Sequence, residues 1–123
     1  MEFEATLPFR IAVHCHCSRC RKHSGTFGLT QARVPRDQFR LVRGAELIRV
    51  YTPGGGKVKA FCSKCGSSLF GGDWPEGDEV SIRLGSFDDD PQIRPSAHVF
   101  VESAAPWFEV PEDGLPRHPE KLP

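Results

Sequence analysis

The sequence predicts an all-β domain, mainly strands with short helical turns, and three observations carry that reading. Apolar residues recur at alternate positions in short runs, the period of a half-buried strand. No window of 12 residues carries a convincing helical stripe. The 12 Gly and 11 Pro make up about 19% of the 123 residues, against a usual share of about 12%. Many turns joining short strands explain that excess.

The elements follow in order. Phe3–Leu7 alternates Phe3, Ala5 and Leu7 with Glu4 and Thr6. Arg10–Cys15 is the second strand, after Pro8, and Ser18–Ser24 is a helical turn. Thr26–Ala32 and Gln38–Val42 come next, separated by the break Val34-Pro35-Arg36-Asp37, with a second helical turn near Pro35–Gln38. Glu46–Tyr51 is rich in β-branched and aromatic residues. It ends at Thr52-Pro53-Gly54-Gly55-Gly56, where the glycines permit the backbone angles of a hairpin or flexible loop. Lys57–Phe61, Ser68–Phe70, Val80–Leu84 and Ala97–Val101 complete the set. The length suits one core, so residues 1–123 read as a single domain, with a proline-rich tail from about residue 111 lying over its surface.

The formal net charge is zero, from 16 Lys or Arg and 16 Asp or Glu. Residues 1–60 hold 11 basic against 4 acidic residues, and residues 61–123 hold 5 against 12. Either the two halves pair inside one fold, or the basic half attracts an anionic ligand. No apolar run approaches the roughly 20 residues of a membrane span, and no charged-then-apolar leader opens the chain. Five cysteines, an odd number, argue against a disulfide framework and for a reducing, cytoplasmic setting.

Those cysteines fall in two clusters: Cys15-His16-Cys17-Ser18-Arg19-Cys20 and Cys62-Ser63-Lys64-Cys65-Gly66. A Cys-x-x-Cys step closed by glycine is the shape of a zinc knuckle. Thiolates are soft ligands and no redox partner is implied, so zinc is favoured over an iron–sulfur cluster. A redox dithiol is disfavoured because the chain has no βαβ unit. Five cysteines cannot close two four-ligand sites; they divide as three plus two or four plus one. Cys15, Cys17 and Cys20 lie within six residues, which favours a three-thiolate site with an open fourth position. Arg19, Arg21 and Lys22 stand beside it, able to offset its negative charge or to receive a ligand's carboxylates. His14 and His16 alternate with the cysteines and so point away from the metal on an extended segment, and His23 is a further candidate.

Taken together, these motifs resemble those of the glutathione-dependent formaldehyde-activating enzymes, a family grouped with centromere protein V. The likeness rests on Cys15-His16-Cys17-Ser18-Arg19-Cys20-Arg21-Lys22 with Ser24-Gly25, and on Phe61-Cys62-Ser63-Lys64-Cys65-Gly66-Ser67-Ser68-Leu69-Phe70. It continues in Leu84-Gly85-Ser86-Phe87-Asp88, Arg94-Pro95-Ser96-Ala97-His98, Pro106-Trp107 and Asp113-Gly114-Leu115-Pro116. The resemblance implies a tent-like zinc fold of stacked small antiparallel sheets. It implies a catalytic zinc on Cys15, Cys17 and Cys20, and a structural zinc on Cys62 and Cys65 plus two cysteines of an upstream Cys-x-Cys. No cysteine precedes Cys15, so that upstream pair has no counterpart here and the family's first strand is expected to be missing. Completion of Cys62 and Cys65 stays open: a histidine, water or a second chain could supply it, they could share one ion with two of the first three cysteines, or they could bind nothing.

The implied activity is that of a carbon–sulfur lyase: a thiol, glutathione or similar, is joined to formaldehyde as an S-hydroxymethyl thiol. Arg19, Arg21, Lys22 and Arg33 are the candidates to hold glutathione's carboxylates. The competing class is a non-catalytic zinc module for protein or nucleic acid. Zero net charge, and aromatic residues (Phe3, Phe9, Phe27, Phe39, Tyr51) at spacing that suits a core, weigh against nucleic acid. A homodimer stays open. His98 reads as a structural strand residue, with acid–base work as the minor alternative, Asp88-Asp89-Asp90 as a solvated turn, and Trp74 and Trp107 as core or rim packing.

Overall fold

The computed structural model describes residues 1–123. Nine strands and one short helix form it: β1 (Glu2–Ala5), β2 (Ile11–Cys15), α1 (Ser18–Ser24), β3 (Leu29–Pro35), β4 (Phe39–Arg43), β5 (Ile48–Tyr51), β6 (Val58–Cys62), β7 (Ser68–Gly72), β8 (Glu79–Arg83) and β9 (His98–Val99). The protein is mostly β, as its sequence predicts, and no helix is long and apolar enough to cross a membrane.

Seven strands make one sheet in the order β5-β6-β7-β8-β3-β2-β9, and β1 and β4 form a separate ribbon. Every neighbouring pair is antiparallel except β2 and β9, which run parallel over His14–His98 and Cys15–Val99. The tail does more than lie on the surface. It follows β9 and bonds to it: His98 N–H donates to Pro116 O (2.9 Å), and His118 N–H to His98 O (2.8 Å).

Several boundaries differ from the sequence reading: the first strand is Glu2–Ala5 and not Phe3–Leu7, and the last is only His98–Val99 within the expected Ala97–Val101. The third strand starts at Leu29, after the α1 turn, and runs through the expected break to Pro35, because Val34 is fully buried and opposes Val80 of β8. Residues 45–47 form a 3-10 turn, so β5 begins only at Ile48. Tyr51, expected at a core position, is 54% exposed, and Trp107 is 68% exposed.

The period of two divides the seven-stranded sheet into two faces. The ladder Ala60–Phe70–Ile82–Ala32–Ala12 runs in register across β6, β7, β8, β3 and β2, and all five side chains belong to the larger core. The β1–β4 ribbon covers that face with Phe3, Phe39 and Leu41. Phe70 sits at its centre, stacked on Trp74 at 4.3 Å and edge-on to Phe3 and Phe39 at 5.3 and 5.2 Å. The opposite face carries a smaller core of Val13, Cys15, Cys20, Leu29, Ala97 and Val99, under α1 and the tail. Arg10–Glu79 and Lys57–Asp73 pair the basic half with the acidic half, so part of the charge asymmetry is internal to the fold.

Candidate metal centre

The last residue of β2 and the first turn of α1 bring three sulfurs together. Cys17 is the N-cap of α1: its backbone is extended (φ −63°, ψ 154°) and its Sγ accepts from Cys20 N–H at 3.3 Å. That cap satisfies one of the amides that a helix start leaves free. The helix stops at Gly25, whose φ of 75° suits glycine, with its N–H on Arg21 O. Cys17 Sγ lies 3.1 Å from Cys20 Sγ, and Cys20 Sγ lies 3.5 Å from Cys15 Sγ. All three sulfurs lie within 4.8 Å of one another. Tetrahedral thiolates about 2.3 Å from an ion would stand roughly 3.8 Å apart. The spacing therefore fits one metal ion held by three cysteines. Hydrogen bonding from the Cys15 and Cys20 thiols holds Cys17 well below the usual thiol pKa, whereas Cys15, bonded to Cys17 and Cys20 and buried, is pushed up.

Gly28 makes this geometry possible. A Cβ at position 28 would overlap the Cys15 carbonyl oxygen and stand 3.1 Å from Cys15 C and 3.3 Å from His16 Cα. These are backbone atoms of a paired strand and cannot swing aside. Gly28→Ala is expected to cost about 1–3 kcal/mol in stability, as overpacking does. It should also weaken metal retention by displacing Cys15, which metal titration of the folded variant would check; unchanged affinity would count against this role of Gly28.

Sequence reasoning missed two cations here. Lys59 of β6 is 6% exposed and its Nζ lies 3.6 Å from Cys20 Sγ. Arg83 of β8 is 4% exposed; its Nη1 donates to Gln31 Oε1 (2.6 Å) and its Nε to Ser68 Oγ (3.3 Å). The signal was a basic residue inside each of the apolar runs Val58–Cys62 and Val80–Arg83. The predicted basic residues lie further out. Arg19 Nη2 donates to Gly54 O (2.9 Å), tying α1 to the glycine loop, and Arg21 Nε donates to Ser103 O (3.1 Å). Lys22 is exposed and makes no ion pair, and Arg33 lines a small polar hollow away from the sulfurs, beside Asp73, Asp78 and Glu79.

The histidines form a separate network. His14 Nδ1 bonds Thr30 Oγ1 (2.7 Å), and its ring stacks on His98 at 4.9 Å. His16 Nε2 meets His98 Nδ1 at 2.9 Å, and His98 Nε2 meets Asp113 Oδ2 at 2.7 Å. Burial lowers the His16 pKa to about 4, and His98 holds Asp113 below the usual carboxylate range. Neither His14 nor His16 belongs to the sulfur group. His23 sits against Phe61 and Ser68. Asp90 is occupied by Arg94 at 2.8 Å.

Cys62 and Cys65 stand apart. The step folds as a tight turn, with Gly66 at φ 81° and its N–H on Cys62 O (2.7 Å). Cys62 packs into the larger core on the face opposite Cys15 and Cys20, and no third donor joins the pair. A single ion shared with the first cluster is therefore not assembled. Cys65 is exposed and bonds Ser67 Oγ at 3.1 Å, which lowers its pKa to about 7. Both line an open cleft of about 960 Å³ that none of Cys15, Cys17 and Cys20 reaches.

Comparison with known proteins identifies a family and a fold. The family model described as glutathione-dependent formaldehyde-activating enzyme matches residues 1–103. A crystal structure of a Rhodobacter sphaeroides protein, solved in structural genomics, shares the fold: TM-score 0.55 and 24% identity, over 76% of this chain and 82% of that one. No curated protein matches.

Proposed function

Since the chain belongs to the glutathione-dependent formaldehyde-activating enzyme family, we propose that it is a zinc-dependent carbon–sulfur lyase. It joins a small thiol, glutathione or a relative, to formaldehyde, and runs the reverse cleavage. The observation that carries this reading is the grouping of three cysteine sulfurs with no fourth protein donor. Catalytic zinc sites have that ligand count, and structural ones have four. Zinc bound there would lower the pKa of a thiol in its open position and make it a nucleophile near neutral pH.

The chain's own residues do the rest. Cys15, Cys17 and Cys20 hold the ion, on a strand end and a helix start that their hydrogen bonds fix. Lys59 places positive charge beside Cys20, and Arg83 adds a second on the same face of the sheet. Lys22, exposed on α1, and the free N–H groups of Arg19 and Arg21 are the candidates to receive the thiol's carboxylates. In the reaction the thiol loses its proton, its sulfur bonds the formaldehyde carbon, and the carbonyl oxygen takes up a proton as the hydroxymethyl group forms. Five free thiols suit the cytoplasm.

The test is formaldehyde consumption by the zinc-loaded protein with glutathione, measured against the same mixture without protein. A thiol-dependent rate above that background is expected. A rate equal to background across several small thiols would sink the enzyme reading and leave a zinc-binding module.

A further inference from the structure

We infer that Lys59 and Arg83 make the three-cysteine centre selective for an anionic donor, a thiolate over a neutral thiol or imidazole, in its remaining coordination position. The inference rests on the metal-site part of the proposed function and specifies the ligand that site takes.

Both cations are buried, and neither pairs with an Asp or Glu. Lys59 has one side-chain partner, Cys20 Sγ. Arg83 is held by the neutral groups Gln31 Oε1 and Ser68 Oγ; burial pushes its pKa down, and the sulfurs of Cys20, Cys15 and Cys17 are the charges that oppose that shift. Its seat is built for it. A Cβ at Gly71 would lie 2.8 Å from both Nη1 and Nη2, so the guanidinium in this position packs against a residue that has no side chain. Strand period explains the meeting. Lys59 opposes Gly71, and Arg83 opposes Gln31, on the face that also carries Cys15.

A buried cation without a counter-ion is costly, so these two need negative charge nearby. A dication with three thiolates carries one negative charge. Against the two positive charges of Lys59 and Arg83, that leaves one positive charge uncompensated. One further anion brings the buried group to neutrality; a neutral ligand does not. At short range in a poorly solvated site that difference is large enough to choose between ligands. The two residues act through charge and not by contact with the ligand, so they are positioning residues.

The test uses the full chain loaded with cobalt(II), whose visible and near-ultraviolet bands report the bound ligand. Azide, 2-mercaptoethanol and imidazole are titrated in turn. The wild-type protein should bind azide and the thiol more tightly than imidazole. Lys59→Met should weaken both anions about tenfold, roughly 1.4 kcal/mol, and leave imidazole unchanged or improved. Lys59→Arg should restore the preference, which a merely structural role would not predict. If Lys59→Met loses its fold by circular dichroism, Arg83→Gln takes its place. An anion-to-imidazole ratio unchanged from wild type in the folded variant overturns the inference, as does a wild-type centre with no preference for anions. A protein that orders the ligands as stated but does not consume formaldehyde keeps this inference and removes the proposed reaction. Turnover with an unchanged ratio does the reverse.

Discussion

Cys17→Ser should leave the protein folded and empty its metal centre. The separation is clean because Cys17 has two jobs. Its sulfur caps α1 by accepting from Cys20 N–H, and serine caps a helix start well. Its second job, as one of three sulfurs within 4.8 Å, has no serine substitute, because a hydroxyl is neither soft nor ionised near neutral pH. Loss of a group that only orients a ligand costs about 10- to 100-fold in metal affinity, so loss of the ligand itself should exceed a hundredfold. Zinc per chain after gel filtration should fall close to zero, and the thiol-dependent rate with it, at an unchanged circular dichroism spectrum. Cys65→Ser is the control: it lies outside the sulfur group and should keep that zinc. Full zinc and full rate in Cys17→Ser would overturn both the site and the reaction proposed for it.

The second large effect lies on the other face of the sheet. Phe70→Ala should destabilise the protein by about 3–5 kcal/mol, the usual cost of truncating a buried aromatic residue. Phe70 is fully buried and touches three aromatic rings, Trp74, Phe3 and Phe39, which pin the β1–β4 ribbon to the sheet. Against a total of about 5–15 kcal/mol, that loss leaves little margin. Urea unfolding with zinc held constant would measure it. A change below about 1 kcal/mol would mean that the ribbon is not anchored through this ring. Metal affinity of the variant that remains folded should match wild type, since the sulfurs stand on the opposite face.

Local features carried far in the sequence. The α1 turn at Ser18–Ser24 was legible because its cap and its stop, Cys17 and Gly25, are local. The three-cysteine group was legible for the same reason: six residues of chain determine which sulfurs can meet. The end of β3 was not. Val34-Pro35 reads as a break, and only the pairing of Val34 with Val80 and of Pro35 with Glu79 keeps it extended. Tyr51 shows the converse. Its strand spacing is right, yet β5 is the outermost strand of the sheet and leaves it exposed.

What the sequence determined by itself is therefore the β character of the fold, the helical turn at Ser18–Ser24, and the grouping of Cys15, Cys17 and Cys20, the last two set by contacts within a few residues. The division of the five cysteines into three and two was one option among several. Tertiary structure separates the two clusters by placing Cys62 on one face of the sheet and Cys15 on the other. It also decided which basic residues are buried on the face that carries Cys15. Arg19, Arg21 and Lys22 are neighbours in sequence, but Lys59 and Arg83 are the buried ones, 39 and 63 positions along the chain from Cys20. The physical reason is register. A one-residue shift in a strand turns every side chain to the opposite face, and register is settled by the pairing of whole strands, which a local motif does not contain.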